Sequence, residues 1–178
     1  MGKVFIPYAY AKSIYDIDIE FFINEKVKYV LLDLDNTLDS YLQLDPTEKA
    51  LSLKEKFTAV GIQIFIISNN RGPRVSRYAK GLGVEYVSSI GKPFPNGINK
   101  FLKSHNIAKD DVISVGDQLV TDIAAANRAH IKNIYVEKLV KEDQPTTRFN
   151  RIFEKPIKRR LIRKNLLRDW KEIHHGRN

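Results

Sequence analysis

Tyr29-Val30-Leu31-Leu32-Asp33-Leu34-Asp35-Asn36-Thr37-Leu38 joins a short apolar run to two carboxylates spaced two residues apart. A run this apolar and this short predicts a strand buried on both faces, as in a parallel sheet covered by helices. Asp33 and Asp35 leave that strand at its carboxyl end, pointing the same way, at the edge where open α/β sheets keep their ligands. Like charges brought this close repel unless a cation or a shared proton relieves them. A magnesium site serving a phosphate-handling reaction would supply that relief.

Outward from this stretch, strand-like and helix-like patterns alternate. A helix opens at Pro46-Thr47-Glu48, carries Ala50, Leu53, Phe57 and Val60 on one face, and stops at Gly61. The strand 62–67 follows, then a helix from Pro73 with Val75, Tyr78, Ala79 and Leu82 on one face, ended by Gly83. A short strand over 84–87, a helix from about Pro95, a strand over 112–115, a helix over 121–129 and a strand over 133–136 complete the series. This order predicts an α/β fold: a three-layer, doubly wound parallel sheet with right-handed crossovers. Residues 13–26 read as a helical lead-in, with Ile14, Ile17, Phe21 and Phe22 facing the domain. Gly81-Leu82-Gly83 reads as a helix stop, the four histidines form no metal-ligand pattern, and Asp39 reads as surface charge.

Composition narrows the class. The 178 residues are enough for one domain with a proper core and a tail. With no cysteine, disulfides and thiolate metal sites are excluded. No apolar stretch is long enough to span a bilayer. Residues 1–6 carry neither a signal-peptide core nor a myristoylation pattern, so the expected location is the cytoplasm. The net charge of +9 is unevenly placed: residues 148–178 hold 11 Lys or Arg against 3 Asp or Glu, while residues 1–147 hold 19 against 18. The expected organisation is therefore a near-neutral domain, 1–147, and a basic tail, 148–178. A helix started at Pro156 would align Ile162, Leu166, Trp170 and Ile173 opposite Arg160, Lys164, Arg168 and Lys171. Three uses fit such a helix: lying on an anionic membrane face, docking on the domain with a solvated cationic side, or binding nucleic acid.

Three further segments follow or flank predicted strands. They are Ser68-Asn69-Asn70 after 64–67, Gly91-Lys92-Pro93, and Gly116-Asp117 with Asp122 five residues on. Each alone has an ordinary reading as a turn, a loop or a helix-start carboxylate. Together with Asp33-Leu34-Asp35-Asn36-Thr37-Leu38 they resemble, in order, the four motifs of the haloacid dehalogenase-like phosphatases, of the subfamily IIIA type. The match runs over roughly residues 28–137.

That resemblance implies a set of roles. Asp33 is the expected nucleophile, forming an aspartyl phosphate, and Asp35 the acid and base. Thr37 holds the turn; Ser68 and the backbone N–H of Asn69 hold phosphate oxygens. Lys92 neutralises the nucleophile and the transferring phosphoryl group. Asp33, the Asp35 backbone carbonyl and Asp117 are the expected contacts to Mg2+, with Asp122 in support. Relatives acting on small metabolites usually insert a cap domain. Here 30 residues separate Thr37 from Ser68 and 23 separate Ser68 from Lys92, and the predicted elements nearly fill both gaps. No cap is expected, so the site should admit a phosphate carried on something large or held at a surface.

Ser13-Ile14-Tyr15-Asp16-Ile17, Ile67-Ser68-Asn69-Asn70 and Gly116-Asp117-Gln118-Leu119-Val120-Thr121-Asp122-Ile123 add a narrower likeness. They resemble the small bacterial branch related to mitochondrial phosphatidylglycerophosphate phosphatase, which implies an anionic lipid substrate and peripheral contact with the inner membrane face. Two rival expectations stand beside it. One is a phosphatase acting on a nucleotide, a sugar phosphate or a phosphorylated macromolecule. The other is a non-enzymatic module binding RNA or a protein partner through the basic tail.

Overall fold

The computed structural model describes residues 3–140 and 145–176. Its strands are β1 (Ala9–Ala11), β2 (Tyr29–Leu32), β3 (Gln63–Ile67), β4 (Glu85–Val87), β5 (Val112–Gly116) and β6 (Lys132–Val136). They form one sheet in the order β1-β6-β5-β2-β3-β4, and every pairing is parallel. The helices are α1 (Ile19–Asn24), α2 (Glu48–Ala59), α3 (Pro73–Leu82), α4 (Asn96–Ser104), α5 (Ala124–Ala129), α6 (Pro145–Arg163) and α7 (Trp170–His175).

The alternation in β2 builds both layers of core. Val30 and Leu32 pack with Phe22, Phe57 and Tyr78, while Leu31, pointing the other way, packs with Phe65, Ile98 and Phe101. Helices α2 and α3 therefore cover one face, and α4 and α5 the other, giving the expected three layers, with no separate cap among the described residues. From β2 the chain runs to β3 and β4, then returns to place β5 on the opposite side of β2. The direction of winding reverses between β2 and β5, and the loops leaving their carboxyl ends open a crevice there. Asp33 follows one of those strands and Asp117 the other.

Local signals behave as their chemistry dictates. Thr47 caps α2 by accepting from the Ala50 N–H at 3.4 Å. Pro73 opens α3, and Gly83 closes it at φ +71°, where a side chain would be strained. The helix expected over 121–129 starts earlier, as a π-helical turn over Leu119–Ile123 that runs into α5. The lead-in is split into a single 3-10 turn (Ile14–Asp16) and α1. Strand β1 was not expected: three residues reading Ala-Tyr-Ala carry too little β-propensity to stand out.

The C-terminal segment corrects the expected single amphipathic helix. Helix α6 contains Pro156 instead of starting there, begins at Pro145, and so spans the 147/148 boundary suggested by charge. It ends because Asn165 turns left-handed (φ +51°) and the N–H of Leu166 reaches back to the Leu161 carbonyl at 2.9 Å. Asp169 then caps a separate helix, α7, by accepting from the Lys171 N–H at 2.9 Å. The stripe is thus cut in two. Trp170, 4% exposed, packs edge-on against Phe21 with ring centroids 5.9 Å apart, and Ile173 is buried beside it, whereas Ile162 is 58% exposed. Burying an indole in the core is worth more than continuing one helical face through solvent. Trp170→Ala should therefore cost about 3–5 kcal/mol in urea unfolding, while Ile162→Ala should stay within about 0.5 kcal/mol of wild type. Among the described residues no helix is long and apolar enough to cross a membrane.

Candidate active site

The ladder of β2 with β5 continues one residue beyond β2, with the Asp33 N–H donating to the Val115 carbonyl at 2.9 Å. This fixes the direction in which Asp33 leaves the sheet. Carboxylate oxygens of Asp33, Asp117 and Asp122 lie within 4.8 Å of one another, and all three residues are buried. Asp122 arrives on the π-helical turn, and its Oδ2 accepts from the Gln118 N–H at 3.0 Å. Gly116 leaves the space it needs: a Cβ there would lie 2.4 Å from the Asp122 Cβ.

Lys92 reaches into this cluster from the loop after β4. Its Nζ stands 2.6 Å from Asp33 Oδ1, 2.7 Å from Asp122 Oδ1 and 3.2 Å from the Ile67 carbonyl. The loop that carries it is fastened to the loop after β3 by a reciprocal pair. Asn69 Nδ2 donates to the Lys92 carbonyl at 2.8 Å, and the Lys92 N–H donates to Asn69 Oδ1 at 2.8 Å. Ser68 is buried beside them, its hydroxyl oxygen accepting from the Asn70 N–H at 3.0 Å.

Burial pushes the Asp33 carboxyl up to about 6; Lys92 pulls it back and Asp122 pushes it further up. For Lys92, burial works against the charge, but Asp122 and Asp33 more than offset it and hold the ammonium well above its ordinary range. Three buried carboxylates (Asp33, Asp117, Asp122) converge where Lys92 reaches in, an excess of acidic groups over the ammonium that bridges two of them. Hard oxygen donors converging with that excess fit one divalent cation of the magnesium type.

A pH dependence follows. With chelator present, a carboxyl raised from 3.8 to about 6 favours the fold in its protonated form; that contribution is complete below 3.8 and is lost as pH rises through about 6. A metal held by Asp33 would have to displace the same proton. Magnesium should therefore raise the melting temperature more at pH 7.5 than at pH 5, and calorimetry near pH 6 should show proton release on binding. An equal shift at both pH values would count against Asp33 as a ligand.

The structure places the other expected site residues as follows. Thr37 is fully buried under the turn. Asp35 follows two residues after Asp33, and its carboxylate accepts from Asn70 Nδ2 at 2.5 Å and pairs with Arg74. Asp39, expected at the surface, is instead buried: it accepts from the Thr47 N–H at 3.1 Å, the Thr47 hydroxyl at 3.0 Å and the Tyr78 hydroxyl at 2.5 Å. A carboxylate with three donors waiting for it can afford burial. Arg74, Asn70 and the Asn69–Lys92 pairing were not legible as site features. Their partners come from other loops, which no local pattern records.

Comparison with known proteins places the chain in a family. The family of haloacid dehalogenase-like hydrolases matches residues 9–136. "Probable phosphatase YqeG" of Bacillus subtilis (strain 168) is 32% identical over 172 residues, covering 97% of this chain and 99% of its own. A crystal structure of an uncharacterized protein from Listeria monocytogenes serotype 4b shares the fold, with a TM-score of 0.54 and 20% identity over 67% of this chain and 85% of that one. The 3-deoxy-D-manno-octulosonate 8-phosphate phosphatase of Moraxella catarrhalis, solved with magnesium ion, phosphate ion and KDO, gives a TM-score of 0.47 at 19% identity, over 67% and 82% of the two chains. The chain belongs to the haloacid dehalogenase-like hydrolases. Within them it is a phosphatase with a buried acidic triad.

Proposed function

We propose that this protein is a magnesium-dependent phosphate monoester hydrolase acting through an aspartyl phosphate on Asp33, with phosphatidylglycerophosphate or another large or surface-held phosphate as substrate. The observation that carries the chemistry is the buried Asp33–Asp117–Asp122 cluster bridged by Lys92. Asp33 attacks phosphorus as the bond to the leaving oxygen breaks, and Asp35 delivers its proton to that oxygen, releasing an alcohol. Asp35 then takes a proton from water, whose oxygen attacks phosphorus and frees Asp33 and inorganic phosphate. Lys92, Ser68 and the Asn69 N–H hold the phosphoryl oxygens through both steps. Asp33, the Asp35 carbonyl and Asp117 would hold the metal, with Asp122 in support through Lys92. A divalent cation there would keep Asp33 ionised and offset charge on the phosphoryl group.

The substrate reading draws on the surface around the mouth. Leu42 (68% exposed) and Leu44 lie on the loop after β2, Phe94 (66% exposed) on the loop after β4, and Leu139 just beyond β6. All follow carboxyl ends of parallel strands, so all ring the same edge as the carboxylates. Helix α6 lies alongside, since the Val120 N–H donates to Glu154 Oε1 at 3.2 Å, and its outer face mixes Ile152, Phe153 and Ile162 with Lys155, Arg159 and Arg160. Apolar tips among cations suit the headgroup zone of an anionic bilayer, at the cytoplasmic face of the inner membrane. This support comes from α6 and the rim, and Trp170 takes no part in it.

The test is phosphate release from phosphatidylglycerophosphate in mixed micelles, nucleoside monophosphates, a sugar phosphate and an aryl phosphate, with magnesium and with chelator. Magnesium-dependent release that favours the lipid supports the whole reading. Preference for a soluble substrate leaves the chemistry standing and removes the lipid, while release unaffected by chelator removes the metal.

A further inference from the structure

We propose that Arg74 is a positioning residue, which holds the Asp35 carboxylate in place for proton exchange with the leaving group. The proposal rests on the reading of Asp35 as acid and base.

Helix α3 presents Arg74 and Tyr78, four residues apart and therefore on one side of the helix, to the loop that carries Asp35. Arg74 pairs with the Asp35 carboxylate, and its Nη1 donates to the Gln43 carbonyl at 2.7 Å. One guanidinium thus ties the start of the loop to its far limb, a task suited to a rigid planar fork of donors. One turn later, the Tyr78 hydroxyl donates to Asp39, whose own carbonyl accepts from the Asn36 N–H at 2.7 Å. Asn70 Nδ2 donates to the same carboxylate. One ion pair and one hydrogen bond, both from elements outside its own loop, leave the Asp35 side chain little rotational freedom.

The arrangement differs from an ordinary surface ion pair. On the same helix and facing the same loop, Arg77 pairs with Asp45 at 2.5 Å, but its side chain is 58% exposed against 20% for Arg74. The exposed pair can only trim stability slightly. The covered one acts on a residue whose placement decides whether a proton arrives as the P–O bond breaks, and misplacement by about 1 Å is worth on the order of 100-fold.

The test exploits leaving-group chemistry. Departure of p-nitrophenolate needs no proton, whereas departure of an alkoxide does. kcat/KM reports the step in which the leaving group departs, so it is measured on p-nitrophenyl phosphate and on 2-phenylethyl phosphate for wild type, Arg74→Ala, Arg74→Lys, Arg77→Ala and Asp35→Asn. Circular dichroism and melting curves establish that each variant is folded. Arg74→Ala should lose about 10- to 100-fold on the alkyl ester and under about 3-fold on the aryl ester. Arg74→Lys should fall between it and wild type, and Arg77→Ala should match wild type on both. Equal losses on the two esters in the Arg74 variants, with Asp35→Asn still selective, would overturn the role of Arg74 alone. No selectivity in Asp35→Asn would overturn the assignment of Asp35, and this proposal with it. Should Arg74→Ala fail to fold, Arg74→Lys carries the same comparison.

Discussion

Asp33→Asn is expected to lower phosphate release on every substrate by at least about 1,000-fold, while the fold is kept. The amide is nearly isosteric with the carboxylate but cannot form the acyl phosphate. It also removes one charge from the buried cluster. Since burial and Asp122 already push the Asp33 carboxyl up to about 6, losing that charge relieves repulsion in the metal-free protein. The variant should therefore melt at or above the wild-type temperature in chelator and gain less from magnesium. Inactivity combined with unchanged or raised thermal stability would separate a chemical role from a structural one. Residual release near the wild-type rate would show that another group is the nucleophile.

Lys92→Met is the second change of large effect, and it should do the opposite to stability. Its ammonium lies within 2.7 Å of both Asp33 and Asp122 and is almost wholly buried. Removing it leaves those carboxylates facing each other without compensation, a cost of about 3–5 kcal/mol in the absence of metal. Magnesium should restore part of that loss, because a divalent cation is then the main remaining positive charge. Activity should still fall by about 100- to 1,000-fold, since charge on the phosphoryl oxygens loses its partner. Melting curves with and without magnesium, beside phosphate release, read both effects. An unchanged melting temperature in chelator would refute the electrostatic argument.

The contrast between these variants shows which features a sequence can display. Asp33 and Ser68 each stand one step beyond an apolar run, and Asp117 follows the glycine that ends β5, so the strand that delivers them also marks them. Lys92 and Asp122 were legible by their order along the chain. Arg74 was not, because an arginine near a helix start looks the same whether it meets water or Asp35. Asp39 misled for the same reason: its three donors come from Thr47 and Tyr78, on two helices whose approach no local pattern records. At the C-terminus, the spacing of Ile162, Leu166, Trp170 and Ile173 is compatible with one helix. The left-handed turn at Asn165 and the cap at Asp169 decide against it, and both are ordinary polar residues. The main layers follow from periodicity, whereas β1 owes its existence to the neighbour it pairs with.

That neighbour is one of two. On one side β1 pairs with β6; on the other, the Tyr10 N–H donates to the Arg168 carbonyl at 2.8 Å and the same residue bridges to Asp169. The linker between α6 and α7 thus acts as a selvedge, closing a margin of the sheet that would otherwise offer bare amides to any passing strand. During translation β1 leaves the ribosome long before its margin can be sealed. Until residues 168 and 169 have been made and Trp170 has docked, the nascent chain carries an open border and an empty socket at Phe21. Chaperone demand and aggregation in the cell should then depend on how soon residues 168–170 emerge and seat, more than on how fast the central strands assemble.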